Sequence, residues 1–255
     1  MAFLPGSRAS YTSEVAAALL SAANIPSSLQ NLASAGNYYA YIPNQTNVSC
    51  GSLLDNLSAC QGGRSFVNRS GQFVLQGYGA IVSGSSVLTF SDQRTSGTIE
   101  YDDIKIAPGA KYLRNQVIVT PSYASSGTLT PYTFTDKSSG TYGLVSETLT
   151  SFMSPDFQFG SYLSTQFGAV GSYLASHFAT PAYRVESISF DVFNLNGFGG
   201  SLWAAFLSLE IGQRVTVSRT PVYTSAQTYD CLIQGINFDI QPNSWRCELL
   251  LSPAT

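Results

Sequence analysis

The chain has 255 residues, enough for one large or two modest domains, each with its own core. Only 11 % of the residues are charged, against roughly a quarter in an average soluble domain. The net charge of −3 is spread without a basic stripe, which argues against a surface that grips nucleic acid. The start, MAFLPGSRAS, lacks the charged opening and apolar core of a secretory signal, and no apolar run reaches the ~20 residues of a membrane helix. Ser, Thr, Asn, Gln, Gly and Tyr stand in for charges. Such a surface suits large permanent contacts, because few ionic groups have to be desolvated.

In chain order, TSEVAAALLSAANIP predicts a helix capped by Thr12 or Ser13, with Val15 and Leu19 on its apolar face and Asn24 and Pro26 ending it. NYYAYIPNQTN reads as a short strand with loops. Ser49 then caps a second helix whose stripe is Leu53, Leu54 and Leu57, stopped by Gly62-Gly63. RSFVN and QFVLQ flank an Arg69-Ser70-Gly71 turn as a tight hairpin, and SVLTF is another strand. LRNQVIVTP predicts a long strand, followed by a Ser/Gly/Thr-rich excursion over 122–130 and a turn or short helix in DKSSGTYG.

The longest predicted helix covers 157–178. Phe159, Leu163, Phe167, Val170, Leu174 and Phe178 recur at three- and four-residue steps. Gly160, Gly168 and Gly171 weaken it by roughly 1 kcal/mol each, so close packing at those glycines has to hold it. Pro181 stops it. YRVESISFDVF returns as a strand with Ile188, Phe190 and Val192 on one face, and FGGSLWAAFLSL forms a short apolar helix around Trp203 and Phe206. Glu210-Ile211-Gly212 turns into the strand 214–218. The chain closes with a hairpin, 229–240 and 245–251, around Gln-Pro-Asn-Ser; Trp245, Cys247, Leu249 and Leu251 share one face and Arg246 and Glu248 the other.

Five stretches, EVAAALLSAANIP, SLLDNLSACQGGRSFVNRSGQFVL, EYDDIKIAPGAKYLRNQVIVTP, LEIGQRVTV and SWRCELLLSP, stand in the order found in minor tail proteins of long-tailed phages of actinobacteria, and the sequence resembles that family from about residue 10 onward. The resemblance implies an α+β protein: a small helix-hairpin lobe over 1–106, then a tail-tube-like antiparallel β-barrel lobe over 107–255 packed with one long helix. It implies a structural virion part of the baseplate-hub or tail-tip type, not an enzyme, made in the host cytoplasm and carried in the phage tail. The implied partners are further copies in a ring of three or six, the distal tail protein, the tape-measure protein and other minor tail proteins. Family members usually carry another β-domain ahead of the first helix, so the resemblance also implies a hub split between two chains or a part of a longer one.

The chemistry-bearing residues are few. His177 has no Ser, Cys or carboxylate at a helical offset and reads as a polar cap at a helix carboxyl end, where positive charge is favoured. Glu100, Asp102 and Asp103 form the one acidic cluster, without the glycine and alternate spacing of a calcium loop. NLNGFGGS lacks the Lys-Ser/Thr of a phosphate loop. Cys50 and Cys60 sit ten positions apart around one helix, not at a metal-ligand spacing, and Cys231 and Cys247 lie out of register on the two hairpin arms, so free thiols are expected. No cofactor or metal is expected. Tyr38, Tyr39 and Tyr41 alternate in one loop and are the candidate contact residues, either as interface anchors or as a glycan-binding groove. A carbohydrate-binding tail module and a secretion-system spike hub remain the alternatives.

Overall fold

The computed structural model describes residues 10–32, 39–40, 48–82, 84–95, 97–121, 131–151, 162–193 and 200–254. β1 (Ser10–Tyr11) leads into α1 (Thr12–Ala22), followed by β2 (Gln30–Asn31) and β3 (Tyr39–Ala40). The Tyr11 backbone N–H donates to the Glu14 carboxylate, which satisfies one of the orphan groups at the start of α1. Val15, Ala16, Leu19 and Leu20 are its buried face, and Asn24 ends the turn in the left-handed region at φ 62°. α2 (Cys50–Cys60) starts where Ser49 Oγ accepts the Ser52 N–H at 3.0 Å. It buries Leu53, Leu54 and Leu57 and stops at Gly62, φ 60°.

β4 (Arg64–Val67) and β5 (Phe73–Gln76) make the expected hairpin, with Gly71 at φ 74° in its turn. Next come α3 (Tyr78–Val82), β6 (Ser86–Ser91), β7 (Thr98–Glu100) and β8 (Asp103–Ala107). β9 (Gln116–Pro121), β10 (Tyr132–Thr135), α4 (Ser139–Tyr142), β11 (Ser146–Ser151) and α5 (Tyr162–His177) follow. The chain finishes with β12 (Arg184–Asp191), α6 (Gly200–Leu207), β13 (Arg214–Arg219), β14 (Gln227–Gln241) and β15 (Ser244–Pro253).

The residues group into two compact units, each drawn from two stretches of chain: Met1–Ala80 with Tyr112–Pro181, and Ile81–Lys111 with Ala182–Thr255. A single cut after residue 106 does not describe that grouping. In the first unit, β9 pairs antiparallel with β10 and parallel with β11, while β2, β5 and β4 form a second small sheet. Val15, Leu19, Leu20, Leu53 and Leu57 meet Leu75, Val117, Val119, Val170 and Ala175 in one core. α5 packs on β9 and β10, and a Cβ at Gly171 would run into the Phe134 ring. The close approach expected at the glycines of this helix is therefore present at Gly171.

This placement corrects one expectation. The long helix does not fill a barrel in the last part of the chain; it belongs to the first unit, where Gly171 admits Phe134.

The second unit is one seven-stranded sheet in the order β7-β6-β13-β14-β15-β12-β8. It is mixed, not antiparallel throughout, because β6 runs parallel to both β13 and β7. Its two edge strands are the two halves of one bent segment with only Tyr101 and Asp102 between them. Tyr101 N–H donates to Ser91 O at 3.1 Å and Asp102 N–H to Ser189 O at 2.8 Å, so the curled sheet is stitched to itself at this bend. Alternate residues point inward: Phe90, Ile99, Ile188, Phe190, Val215, Val217, Ile233, Cys247 and Leu249 are buried together. The short helix α6 supplies Leu202 and Phe206 to this core, where Phe206 lies edge-on to Phe190 with ring centroids 5.6 Å apart.

Candidate assembly surface

Of the three tyrosines singled out from the sequence, Tyr38 and Tyr41 lie outside the described residues. Tyr39 is described in its backbone, where β3 pairs with β1 and Tyr39 stands opposite Tyr11. His177 stacks on Tyr173 at 5.4 Å and meets the Phe178 ring edge-on at 4.6 Å. The acidic cluster serves the backbone: Asp102 Oδ2 accepts the Asp191 N–H at 3.0 Å and Asp103 Oδ1 the Ile104 N–H at 2.9 Å. Among the described residues, no group of three or more His, Cys, Asp or Glu side chains is placed to hold a metal ion. Residues 194–199 of the glycine-rich stretch lie outside the described residues.

Cys50, Cys231 and Cys247 are thiols; the side chain of Cys60 lies outside the described residues. Cys231 stands opposite Pro253 and Cys247 opposite Phe238, so several ladder steps separate them. Burial pushes the pKa of each up to about 12, which leaves them inert packing groups.

The described cavities offer little for chemistry. One of about 400 Å³ is lined by Ala59, Tyr112, Arg114, Glu147, Leu174 and Phe178. Its one carboxylate is engaged by Arg114, 3.7 Å away. A paired-carboxylate or Cys/His arrangement is not among its lining residues.

What stands out is the outer part of the terminal hairpin. β14 pairs with β13 only as far as Leu232, and the turn before β13 reaches one residue further, where Gly212 N–H donates to Ile233 O and Ile233 N–H to Gln213 O. A bulge between Ile233 and Gly235 then shifts the alternation by one residue, so that Ile236, Phe238 and Ile240 follow Cys231 and Ile233 on the inner face. Beyond the core this face loses its cover: Ile236 is half-buried, Phe238 is 50 % exposed and Ile240 67 %. Phe238 still touches Phe206 and Trp245 at 6.1 Å.

The backbone there is open as well. Gln241 and Ser244 flank a two-residue turn and form a hydrogen-bonded pair, so Ile240–Trp245, Phe238–Cys247 and Ile236–Leu249 are the non-hydrogen-bonded pairs. The N–H and C=O of Ile236, Phe238 and Ile240 therefore point away from β15, and among the described residues no strand receives them. At the other end of β14, the loop from β13 presents Val222 and Tyr223, 87 % and 95 % exposed. Single exposed apolar residues are ordinary; an apolar row combined with an unpaired strand edge is an interaction surface. Sequence reasoning had placed the hairpin and its β15 face but not this row, because only the bulge assigns 236, 238 and 240 to one side.

No family model and no curated protein matches the sequence. Solved structures do. A tail protein from Neisseria meningitidis MC58 superposes with a TM-score of 0.64 at 14 % identity, over 96 % of this chain and 67 % of its own. The 43 kDa tail protein of prophage MuSo2 from Shewanella oneidensis gives 0.60 at 10 % identity, over 97 % of this chain and 67 % of its own. A chain of the virion of a native gene transfer agent particle gives 0.55 at 11 % identity, over 98 % of this chain and 53 % of its own. The chain thus has a fold found in phage and prophage tail proteins.

Proposed function

We propose that the chain is a structural component of a phage-type tail, of the baseplate-hub or tail-tip kind, which works by assembly and catalyses nothing. The observation that carries this reading is the fold likeness, which runs through nearly the whole chain in two tail proteins and a virion protein. The low charge content and the uncovered hairpin row fit a part that spends its life in contact with other parts. In this reading the curled sheet takes its place in a ring of three or six copies that continues the tail tube, next to the distal tail, tape-measure and receptor-binding proteins. The virion is its location.

The test is reconstitution. The tagged chain, expressed together with the tail proteins encoded beside its gene, is purified and viewed by electron microscopy. Ring- or tip-shaped complexes containing the tagged chain support the reading. Recovery of the chain only as free protein, with tails complete in its absence, overturns it.

A further inference from the structure

We propose that the open edge of β14 joins two copies of this chain about a two-fold axis at Phe238, each copy adding its hairpin to the other's as one continuous antiparallel ladder. The proposal goes beyond the tail reading and does not depend on it. Antiparallel strands related by a two-fold axis must face each other through residues whose backbone groups point outward, and on this edge those are Ile236, Phe238 and Ile240. Centred on Phe238, the pairs are Phe238 with its copy, and Ile236 with Ile240 of the copy twice. The apolar row reads Ile-Phe-Ile in both directions, so it continues unbroken across the axis. Of the other registers the ladder allows, centring on Asp239 sets two carboxylates against each other. Centring on Asn237 sets Asp239 against Gly235 and leaves it without the amide partner, and centring on Ile236 or Ile240 sets Phe238 against Gln234 or against the turn.

The polar face matches under the same operation. Asn237 of each copy stands opposite Asp239 of the other, so two amide donors meet two carboxylates, and no carboxylate faces a carboxylate. Asp239 is available for this: within its own chain its carboxylate accepts from the Gln241 amide at 3.3 and 3.4 Å, while Arg246, opposite it in the hairpin, donates to Ser189. The usual protections of an exposed edge are missing here. Residues 235–241 contain no Pro and no Lys, and the bulge at Gln234 lies before the open stretch, not within it. A two-fold contact uses the same edge of both copies, so it closes at two and does not propagate.

Sedimentation equilibrium of the full chain tests this. The wild type is expected at twice its 27.3 kDa mass, or at a larger multiple that Ile240→Pro divides by two, because proline removes an outward N–H at an edge position where it leaves the ladder to β15 intact. Asn237→Asp sets like charges opposite each other at both pairs and is expected to raise the dissociation constant about tenfold, whereas Asn237→Lys keeps or tightens the dimer. Asn237 is exposed and its amide reaches only Glu248, at 3.5 Å, so both variants fold, which circular dichroism checks. A wild type that is monomeric at every concentration overturns the proposal, as does an Ile240→Pro variant of unchanged mass or an equal response to Asp and Lys at 237. A dimer of the pure chain, with the chain itself missing from complete tails, refutes the tail reading alone.

Discussion

The unit built from Ile81–Lys111 and Ala182–Thr255 encloses its core with a single curled sheet, whereas the unit built from Met1–Ala80 and Tyr112–Pro181 divides its core among helices and two small sheets. In the sheet unit most inward residues follow a period of two along the strands, reset at bulges, and an aromatic group of Phe90 and Phe190 from the strands and Phe206 from α6 fills the middle. In the helical unit the fit comes from particular contacts, chiefly a glycine that lets one ring approach. The difference teaches where each is vulnerable: the sheet unit to loss of volume, the helical unit to added volume.

The largest effect expected from this contrast is at Phe190, fully buried between Phe90 and Phe206. Phe190→Ala should cost about 3–5 kcal/mol in urea unfolding, and a loss under about 1 kcal/mol would mean that the core refills easily and the contrast fails. Gly171→Ala comes next. Helix propensity alone would stabilise by roughly 1 kcal/mol, but the clash with Phe134 should win and give a net loss of about 1–3 kcal/mol. Phe134→Leu in the same chain should recover part of that loss; no recovery would show that the ring is not the obstacle. Ser49→Ala removes the cap of α2 and should lower stability by about 1 kcal/mol, read from the same unfolding curves.

The smallest effect is electrostatic. A hydrogen bond from Lys105 holds the Glu248 carboxyl below its ordinary value. A carboxylate whose folded pKa is depressed adds stability above its unfolded pKa and loses it as the pH falls through the folded one. Lys105→Met should therefore lower the melting temperature slightly near neutral pH and leave it unchanged in acid, so that the acid limb is a little flatter; the effect is small because the lysine side chain is 64 % exposed. A variant whose acid limb overlays the wild type would remove the pair from the account.

Much of the local structure was legible in the sequence. The faces of α1 and α2, the β4–β5 hairpin and the β15 alternation follow from spacing and from Ser49, Gly62 and Gly71, whose roles are local. The parts that were not legible rest on distant pairings. Tyr101 donates to the carbonyl of Ser218, and Arg214 to that of Gly84 as well as to Asp230, contacts that join segments more than a hundred residues apart in the first two cases. Nothing in the order of strands announces that β6 runs parallel to both neighbours, or that α5 belongs with the early helices. The open row on β14 was hidden for a related reason: one extra residue near Gln234 reverses which side chains face inward, and no composition signal marks it.

Tyr101 and Asp102, the bend at which the curled sheet meets itself, have a mechanical consequence. A flat sheet frays from its rims, where the outermost strand is held on one flank only. Here the outermost strand at one rim is covalently the outermost strand at the other, so neither can peel without loading the opposite side. Tension applied to β6 is carried through two peptide units to β12, and the loop of load returns through β15, β14 and β13. A sheet joined rim to rim in this way would resist being pulled open from either side.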